Sequence, residues 1–388
     1  MQRARHPSEP SKLVLLGKGL QRWCVVCVIA VVMIVAWEVG FLFASMTRDQ
    51  DTVSHHPREF FEFGVEEPDV VKEENVVNVG DSGHVIHDVK AGTSHVVTQG
   101  KDRLAETERI QSARRRLLES ECRRLQLKSN VSNFSIRHIL VNEKYRLAYC
   151  FVPKVGCSNW KRILMVLDGQ RDTVEGLTSD EVHINGDFRF LSSYPPRDRE
   201  QILRDYFKFV FVRHPFERLV SVFKNKLADV TSYRRKTAFH RFGREMIKSW
   251  RPDPSDAALA TGENVTWPEF VKYLTHTVRR HKMENDYYTS DHWREMFKVC
   301  SPCGLNFDFV GNLETVVDDA QYLFEKWNVR DKVYYLGAET SRPTNSSQEY
   351  EAYFSQLSAE DLGRLWSVYQ NDFTLFGYER PSFVPSDV

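Results

Sequence analysis

The sequence predicts an α/β fold with a parallel sheet flanked by helices, preceded by one transmembrane helix and a flexible stem. From about Ile136, short apolar runs alternate with segments of helical period, the pattern of an α/β domain. Leu147 to Val152 and Phe207 to Val212 are short and β-rich, as expected of buried strands, and an amphipathic segment follows each. A third strand candidate, Phe307 to Val310, leads through Gly311 into another amphipathic helix.

The composition is that of an ordinary globular protein. The chain has 388 residues, 41% hydrophobic and 27% charged, enough for one large domain or two modest ones. Lys plus Arg equals Asp plus Glu, at 53 each, so net charge gives no argument for nucleic acid as a partner. Any anion site must therefore be local.

An apolar stretch near the N-terminus predicts a membrane anchor. Residues 23–46 contain a single charge, Glu38, and the stretch Trp23 to Trp37 within them is wholly apolar and close to the ~20 residues that a spanning helix needs. A cleaved signal peptide is the alternative, but no small-residue cleavage pattern clearly follows. Because the preceding residues 1–22 are basic, the positive-inside rule predicts a cytoplasmic tail and a lumenal body.

The segment between the span and the α/β domain, residues 47–135, reads as a lumenal stem. Its first part is acidic and contains few aromatic residues, which is typical of a flexible chain. Residues 101–128 are Arg-rich, with apolar positions at roughly helical spacing, and predict a helix. This helix is either a solvated lead-in or a short coiled coil that forms a homodimer through the stem. The lumenal domain is then 136–388.

The cysteines and glycosylation sequons fit a lumenal body. Of seven cysteines, five follow the span, so at least one thiol is free or paired between chains. The Cys300-Ser-Pro-Cys303 pair resembles half a zinc site or a redox motif, but no partner motif follows the span, and an oxidising compartment favours a structural disulfide. The Asn-x-Ser/Thr sequons all follow the span, at Asn130, Asn133, Asn264 and Asn345.

A first candidate anion-binding loop lies between the first buried strand and its helix. Backbone N–H groups and the helix dipole favour an anion there, and Gly156 allows close approach of the backbone. Lys154 adds a cation, although a plain turn with a solvated lysine would look the same. The GxxxxGK[ST] spacing of a Walker A loop is absent. The candidate binding residues are Lys154, Val155, Gly156, Cys157, Ser158, Asn159 and Trp160.

A second candidate segment directly follows the second buried strand. Ligands of open α/β sheets bind at the carboxyl ends of strands, and Arg213 stands at such an end. Its guanidinium suits a bidentate grip on phosphate, and Ser221 can donate to the same group, although Arg213 could instead pair with Glu217. The candidate binding residues are Arg213, His214, Pro215, Phe216, Glu217, Arg218, Leu219, Val220 and Ser221.

These motifs resemble those of the Golgi carbohydrate sulfotransferases that modify chondroitin, dermatan and terminal N-acetylgalactosamine. The resemblance is carried by Tyr149 to Arg162, Phe211 to Ser221 and Cys300 to Gly311, and spans roughly residues 145–378. It implies a core like that of P-loop NTPases and a single-pass type II protein of the Golgi membrane with its catalytic domain in the lumen. It also implies 3′-phosphoadenosine 5′-phosphosulfate (PAPS) as donor, with no metal required.

The resemblance also implies roles for the two segments. Lys154 to Trp160 would bind the 5′-phosphosulfate, and Arg213 to Ser221 the 3′-phosphate. We expect Lys154 to support the departing phosphate oxygen. The accepting hydroxyl needs a general base, for which His183 is the candidate. The alternatives are His292 and a carboxylate, Asp180 or Glu181.

The acceptor is implied only by resemblance. A glycan or proteoglycan acceptor is expected, with the 4-hydroxyl of N-acetylgalactosamine in chondroitin, dermatan or N-glycan termini as the target. Sulfation of the 3-hydroxyl of terminal glucuronic acid is the alternative, and a non-catalytic glycan-binding protein is an alternative of another class. The basic runs Arg234 to Lys236 and Arg279 to Lys282 either follow an anionic glycan or form a solvated surface.

Overall fold

The computed structural model describes residues 90–184, 186–280, 290–337 and 346–386. The predicted cytoplasmic tail, the predicted membrane span at residues 23–46 and the first part of the predicted stem lie outside these residues. Within the described ranges, no helix has both the length and the apolar character that crossing a membrane requires.

A five-stranded sheet lies at the centre of the fold, with strand order β3-β1-β2-β4-β5. Strands β2, β4 and β5 are parallel, whereas β1 runs antiparallel to both β2 and β3. The prediction of an α/β sheet flanked by helices is confirmed, but the sheet is mixed and the prediction of a parallel sheet is wrong. The reason is the short turn at residues 143–146, because a parallel pair needs a crossover of a dozen or more residues. The strands are β1 (Ile139–Asn142), β2 (Leu147–Cys150), β3 (Arg189–Phe190), β4 (Phe207–Val212) and β5 (Phe309–Asn312).

Helices connect and cover these strands. In the first half of the described chain they are α1 (Lys90–Arg124), α2 (Asn133–Ile136), α3 (Cys157–Leu167), α4 (Ser179–His183), α5 (Pro196–Asp205), α6 (Pro215–Phe223) and α7 (Val230–Arg235). In the second half they are α8 (His240–Trp250), α9 (Asp256–Thr261), α10 (Trp267–Arg280), α11 (Met296–Cys300), α12 (Pro302–Leu305), α13 (Val316–Lys326), α14 (Ser346–Phe354) and α15 (Ala359–Phe376). A π-helix, Lys224–Ala228, continues directly from α6.

The hydrophobic core has two large parts. One surrounds the sheet, where the Trp160 ring is fully buried and packs against rings of β4 and α13, including Phe211 at 4.5 Å and Phe324 at 6.0 Å. The other lies among α6, α8, α10 and α15 and contains Trp267 and Trp366. These tryptophans therefore serve packing, since almost none of their surface remains exposed.

Helix α1 packs against the edge of the sheet. The helix predicted over residues 101–128 is observed from Lys90 to Arg124, and its Gln111 and Leu118 are buried. Arg114 donates to both carboxylate oxygens of Asp319 in α13, at 3.1 and 2.9 Å, and Gln111 donates to the same carboxylate at 3.1 Å. The Asn312 amide and the Thr315 hydroxyl complete the set of donors around Asp319, at 3.0 and 2.7 Å.

Two disulfides join distant parts of this core. Cys122 at the end of α1 bonds Cys303, and Cys150 at the end of β2 bonds Cys300. The predicted disulfide chemistry of the Cys300/Cys303 pair is confirmed, although each cysteine bonds a distant partner. Among the cysteines of the described ranges, the thiol of Cys157 is free.

We expect Asp319→Ala to lower the free energy of unfolding by about 3–5 kcal/mol, because it leaves the Arg114 guanidinium, whose side chain is only 16% exposed, without its counter-ion. Chemical denaturation followed by circular dichroism measures this. Asp318→Ala is the matched control on the same helix, since its side chain is 53% exposed and its pair with Arg103 spans 4.0 Å. Equal losses in the two variants would contradict this account of how α1 is held.

Candidate active site

The loop between β2 and α3 has the backbone shape of an anion-binding turn. Lys154 and Gly156 both adopt left-handed conformations, with φ of 70° and 83°, and alternation of this kind turns successive amides into a concave nest. Helix α3 begins immediately afterwards at Cys157, so the amides of its first turn adjoin the nest. A methyl group at Gly156 would meet the Tyr335 hydroxyl, so only glycine fits there.

His183, the predicted general base, contacts this loop through Ser158. Its Nε2 lies 2.8 Å from the Ser158 hydroxyl, and its Nδ1 lies 3.2 Å from Nζ of Lys161 on α3. Burial, with the charge of Lys161, lowers the pKa of His183 to about 2. Burial also lowers the pKa of Lys161, whose ammonium stands 4.5 Å from the centre of the Phe151 ring. The structure therefore brings His183 to the loop as a neutral imidazole.

The second segment lies beside the first because β2 and β4 are parallel neighbours. Arg213 follows the last residue of β4 and keeps 21% of its side chain exposed. Its guanidinium lies 3.4 Å from Glu217, so the carboxylate pairing considered from sequence is present, but as a long contact. Ser221 lies in the second turn of α6 and is partly exposed. Both side chains can therefore reach a ligand at this edge of the sheet.

His214 starts α6 and connects the segment to β5. Its Nδ1 accepts the Glu217 amide at 3.3 Å, and its own amide donates to Glu314 at 2.8 Å. Burial, with the charge of Arg213, lowers the pKa of His214 to about 4. The imidazole is therefore a neutral helix cap.

Several residues predicted for cofactor binding have side chains in the core. The buried side chains are those of Val155, Trp160, Pro215, Phe216, Leu219 and Val220. Their side chains do not face the edge of the sheet where Lys154 and Arg213 lie, so any contribution to binding comes from the backbone.

Arg218, also predicted to bind the cofactor, is a buried connector. Its side chain is 1% exposed, and its guanidinium donates to the carbonyl oxygens of Pro153 at 2.9 Å, Arg294 at 2.8 Å and Asp291 at 2.9 Å. One side chain of the second segment thus holds the start of the first loop and the segment around His292.

His292, the alternative base, is oriented by its neighbour. Its Nδ1 lies 2.9 Å from Asp291, whose second oxygen lies 3.4 Å from His138. Burial, opposed by Asp291, lowers the pKa of His292 to about 4. Of the carboxylate alternatives, Glu181 accepts the amide and hydroxyl of Thr178, both at 2.9 Å, and the side chain of Asp180 lies outside the described residues.

Two buried lysines near the site were not predicted from sequence. Lys161 follows the loop and is 6% exposed, and Lys226 lies in the π-helix and is 1% exposed. A signal existed for Lys226, because it follows the apolar residues Leu219 and Phe223 at helical spacing and so stands on the buried face of the helix. A charge at such a position is rarely left without a function or a partner.

A separate cleft of about 640 Å³ opens at the other end of the parallel strands. Phe207 and Asp308, at the amino ends of β4 and β5, line it together with Arg115 and Arg123 of α1. Since ligands of such sheets bind at the carboxyl ends, this cleft is not the site described above.

Comparisons with known proteins agree with the motifs. The model of the sulfotransferase family matches residues 137–379. Carbohydrate sulfotransferase 11 of Mus musculus is 34% identical over 258 residues, which cover 65% of this chain and 70% of the relative. Carbohydrate sulfotransferase 14 of Danio rerio is 33% identical over 284 residues, 71% of this chain and 74% of the relative. Carbohydrate sulfotransferase 8 of Homo sapiens is 34% identical over 283 residues, 70% and 63% of the two chains. No solved structure matches the chain significantly.

We expect Arg218→Lys to destabilise the protein by about 2–4 kcal/mol, because an ammonium cannot reach three carbonyl groups that a planar guanidinium bridges. Thermal and denaturant unfolding measure the loss. Arg213→Lys is the control: because this arginine is partly exposed, its substitution should lower the free energy of unfolding by less than about 1 kcal/mol. A loss for Arg218→Lys no larger than the control would exclude the bridging role.

The neutral state of His183 gives a pH prediction. Its pKa is about 2 in the folded protein against 6.5 when unfolded, so acid protonates only the unfolded chain and stability is lost as the pH falls below 6.5. When the pH falls from about 7 to about 5, the free energy of unfolding of wild type should decrease by about 2 kcal/mol more than that of His183→Gln. Unfolding of both proteins at each pH measures the difference, and parallel pH dependences would refute it.

Proposed function

The chain belongs to the sulfotransferase family and is a PAPS-dependent carbohydrate sulfotransferase, and from this membership we propose that it sulfates the 4-hydroxyl of N-acetylgalactosamine in a glycan. The observation that carries the proposal is the pair of anion-binding segments at adjoining strand ends. Lys154 follows β2 and Arg213 follows β4, which are parallel neighbours. A donor with phosphates at both ends of its nucleoside fits such a pair.

The donor is bound by different chemistry at its two ends. At the 5′ end, the left-handed loop residues, the first amides of α3 and Lys154 face the phosphosulfate. At the 3′ end, Arg213 and Ser221 grip the phosphate. The long Arg213–Glu217 contact, at 3.4 Å, leaves the guanidinium able to exchange a carboxylate for a phosphate.

The transfer itself needs positioning and charge stabilisation more than covalent chemistry by the protein. The acceptor oxygen attacks sulfur, the bond between sulfur and the bridging phosphate oxygen breaks, and 3′-phosphoadenosine 5′-phosphate departs with the electron pair. The hydroxyl proton goes to the general base. Lys154 stabilises the negative charge that develops on the departing phosphate oxygen.

His183 can accept that proton only in one tautomer. An ammonium at Lys161 donates to Nδ1 and leaves the ring proton on Nε2, beside Ser158. A neutral Lys161 amine accepts from Nδ1 instead and leaves the Nε2 lone pair for the acceptor hydroxyl. Burial lowers the pKa of Lys161, which shifts the pair towards this second arrangement. The base role of His183 therefore depends on Lys161.

The acceptor and the compartment are part of the proposal. The similarity to relatives named carbohydrate sulfotransferases 8, 11 and 14 supports a sugar acceptor. The sequence motifs support N-acetylgalactosamine in chondroitin, dermatan or N-glycan termini over the 3-hydroxyl of terminal glucuronic acid. The apolar residues 23–46 and the two disulfides support a single-pass protein with its catalytic domain in the Golgi lumen.

Transfer of radiolabelled sulfate to a panel of desulfated glycans, followed by disaccharide analysis, tests the function. We expect label on the 4-hydroxyl of N-acetylgalactosamine, and calorimetry should show binding of 3′-phosphoadenosine 5′-phosphate. Label on the 3-hydroxyl of glucuronic acid would change only the proposed acceptor and would leave the proposed transfer reaction in place. Nucleotide binding without transfer to any glycan would favour a non-catalytic glycan-binding protein, and absence of both would overturn the proposal.

We expect His183→Ala to lower kcat by about 10²–10⁴-fold, the usual contribution of a general base, while nucleotide binding is largely kept. Glu181→Gln and His292→Ala are the matched variants for the alternative bases. Retained turnover in His183→Ala, with loss in one of the others, would move the base to that residue.

A further inference from the structure

We propose that the ammonium of Lys226 is a second cation of the transfer site, which acts with Lys154 to balance the negative charge of the donor's phosphosulfate. This inference rests on the proposed function. It assigns a catalytic role to a residue outside both of the predicted donor segments.

The π-helix places Lys226 inside the protein. This element, Lys224–Ala228, follows α6 without a break, and π-helical turns frequently occur at functional sites. Within it Lys224 is exposed, whereas the side chain of Lys226 is 1% exposed. One lysine of this element therefore faces solvent and the other lies inside the protein.

Lys226 and His292 lie against the same aromatic ring. Nζ of Lys226 stands 5.1 Å from the centre of the Phe239 ring, and the His292 ring lies 5.2 Å from it, edge to face. His292 belongs to the segment whose carbonyls Arg218 ties to the start of the phosphosulfate loop. A chain of contacts through Phe239 and Arg218 therefore links Lys226 to that loop.

The electrostatics place the lysine among the groups of the site. The charge of Lys154 acts on Lys226, and the charge of Lys226 in turn lowers the pKa of both His183 and His292. Lys226 is thus within electrostatic reach of the predicted leaving-group cation and of both candidate bases.

Positive charge predominates around Lys226. Burial, together with Lys236 and Lys154, lowers its pKa to about 6, and Asp291 and Cys157 only partly oppose this. Lys236 itself donates to the carbonyl of Asn225 at 2.8 Å. The donor would bring several negative charges to this group of cations, which lowers the cost of charging Lys226.

The consequence is that donor binding charges Lys226. Near neutral pH the free protein holds this side chain mostly as the amine, and a bound phosphosulfate raises its proton affinity. Binding of the donor, or of 3′-phosphoadenosine 5′-phosphate, should therefore take up a proton from solution.

Three variants separate charge from structure: Lys226→Met, Lys226→Arg and the control Lys224→Met, the exposed lysine of the same π-helix. We expect Lys226→Met to lower kcat by about 10²-fold, the scale for removing one charge-stabilising donor. Lys226→Arg keeps a permanent charge and should recover most of this loss. Lys224→Met should behave as wild type.

Calorimetry of 3′-phosphoadenosine 5′-phosphate in buffers of different ionisation enthalpy measures proton uptake. Near neutral pH, wild type should take up about one proton more per site than Lys226→Arg, whose guanidinium is already charged. This difference also decides the case if Lys226→Met does not fold. Equal uptake in wild type and Lys226→Arg, or wild-type kcat in a folded Lys226→Met, overturns the proposal. Wild type that neither binds nucleotide nor transfers sulfate would instead refute the proposed function.

Discussion

The site depends on one buried guanidinium. Burying a charge is unfavourable unless its hydrogen bonds are satisfied, and Arg218 achieves this with three carbonyl oxygens from two other parts of the chain. Burial lowers its pKa, opposed first by Asp372, yet an arginine stays charged. Since those carbonyls belong to the loop between β2 and α3 and to the segment bearing His292, the position of α6 determines the position of both.

The segment around His292 is held from its other side by α15. The carboxylate of Asp372 accepts the amides of Met296 and Phe297 at 2.7 and 2.9 Å, and Tyr369 donates to the carbonyl of Trp293 at 2.5 Å. Contacts with the sheet alone would not fix the position of this segment. Here it lies between a guanidinium and a carboxylate, so buried polar groups set the distance between the loop that follows β2 and His292.

Much of this architecture could be predicted from the sequence, but the contacts within the site could not. Phe207 to Val212 was predicted as a strand with the bounds that the structure has, because a strand buried on both faces is continuously apolar. The strand Arg189–Phe190 is too short to show a period, and it belongs to the antiparallel part that the prediction missed. The carbonyl partners of Arg218 lie 65 to 76 residues away along the chain, and local sequence carries no signal for them. The sequence spacing indicates that Lys226 stands on the buried face of its helix, but the π-helical turn itself has no sequence pattern that would predict it.

The arrangement of the disulfides has a consequence for biosynthesis. Cys300 and Cys303 are near neighbours in sequence, yet their partners, Cys150 and Cys122, precede them by 150 and 181 residues. At a synthesis rate of about 5–20 residues per second, the ribosome needs about 10–40 s to extend the chain from the first of these cysteines to the last. Cys122 of α1 and Cys150 of β2 therefore leave the ribosome as reduced thiols, before their partners have been synthesised. If Cys300 and Cys303 exchanged partners, each would be cross-linked to the wrong element. Correct maturation thus calls for a compartment that reshuffles disulfides as well as forming them.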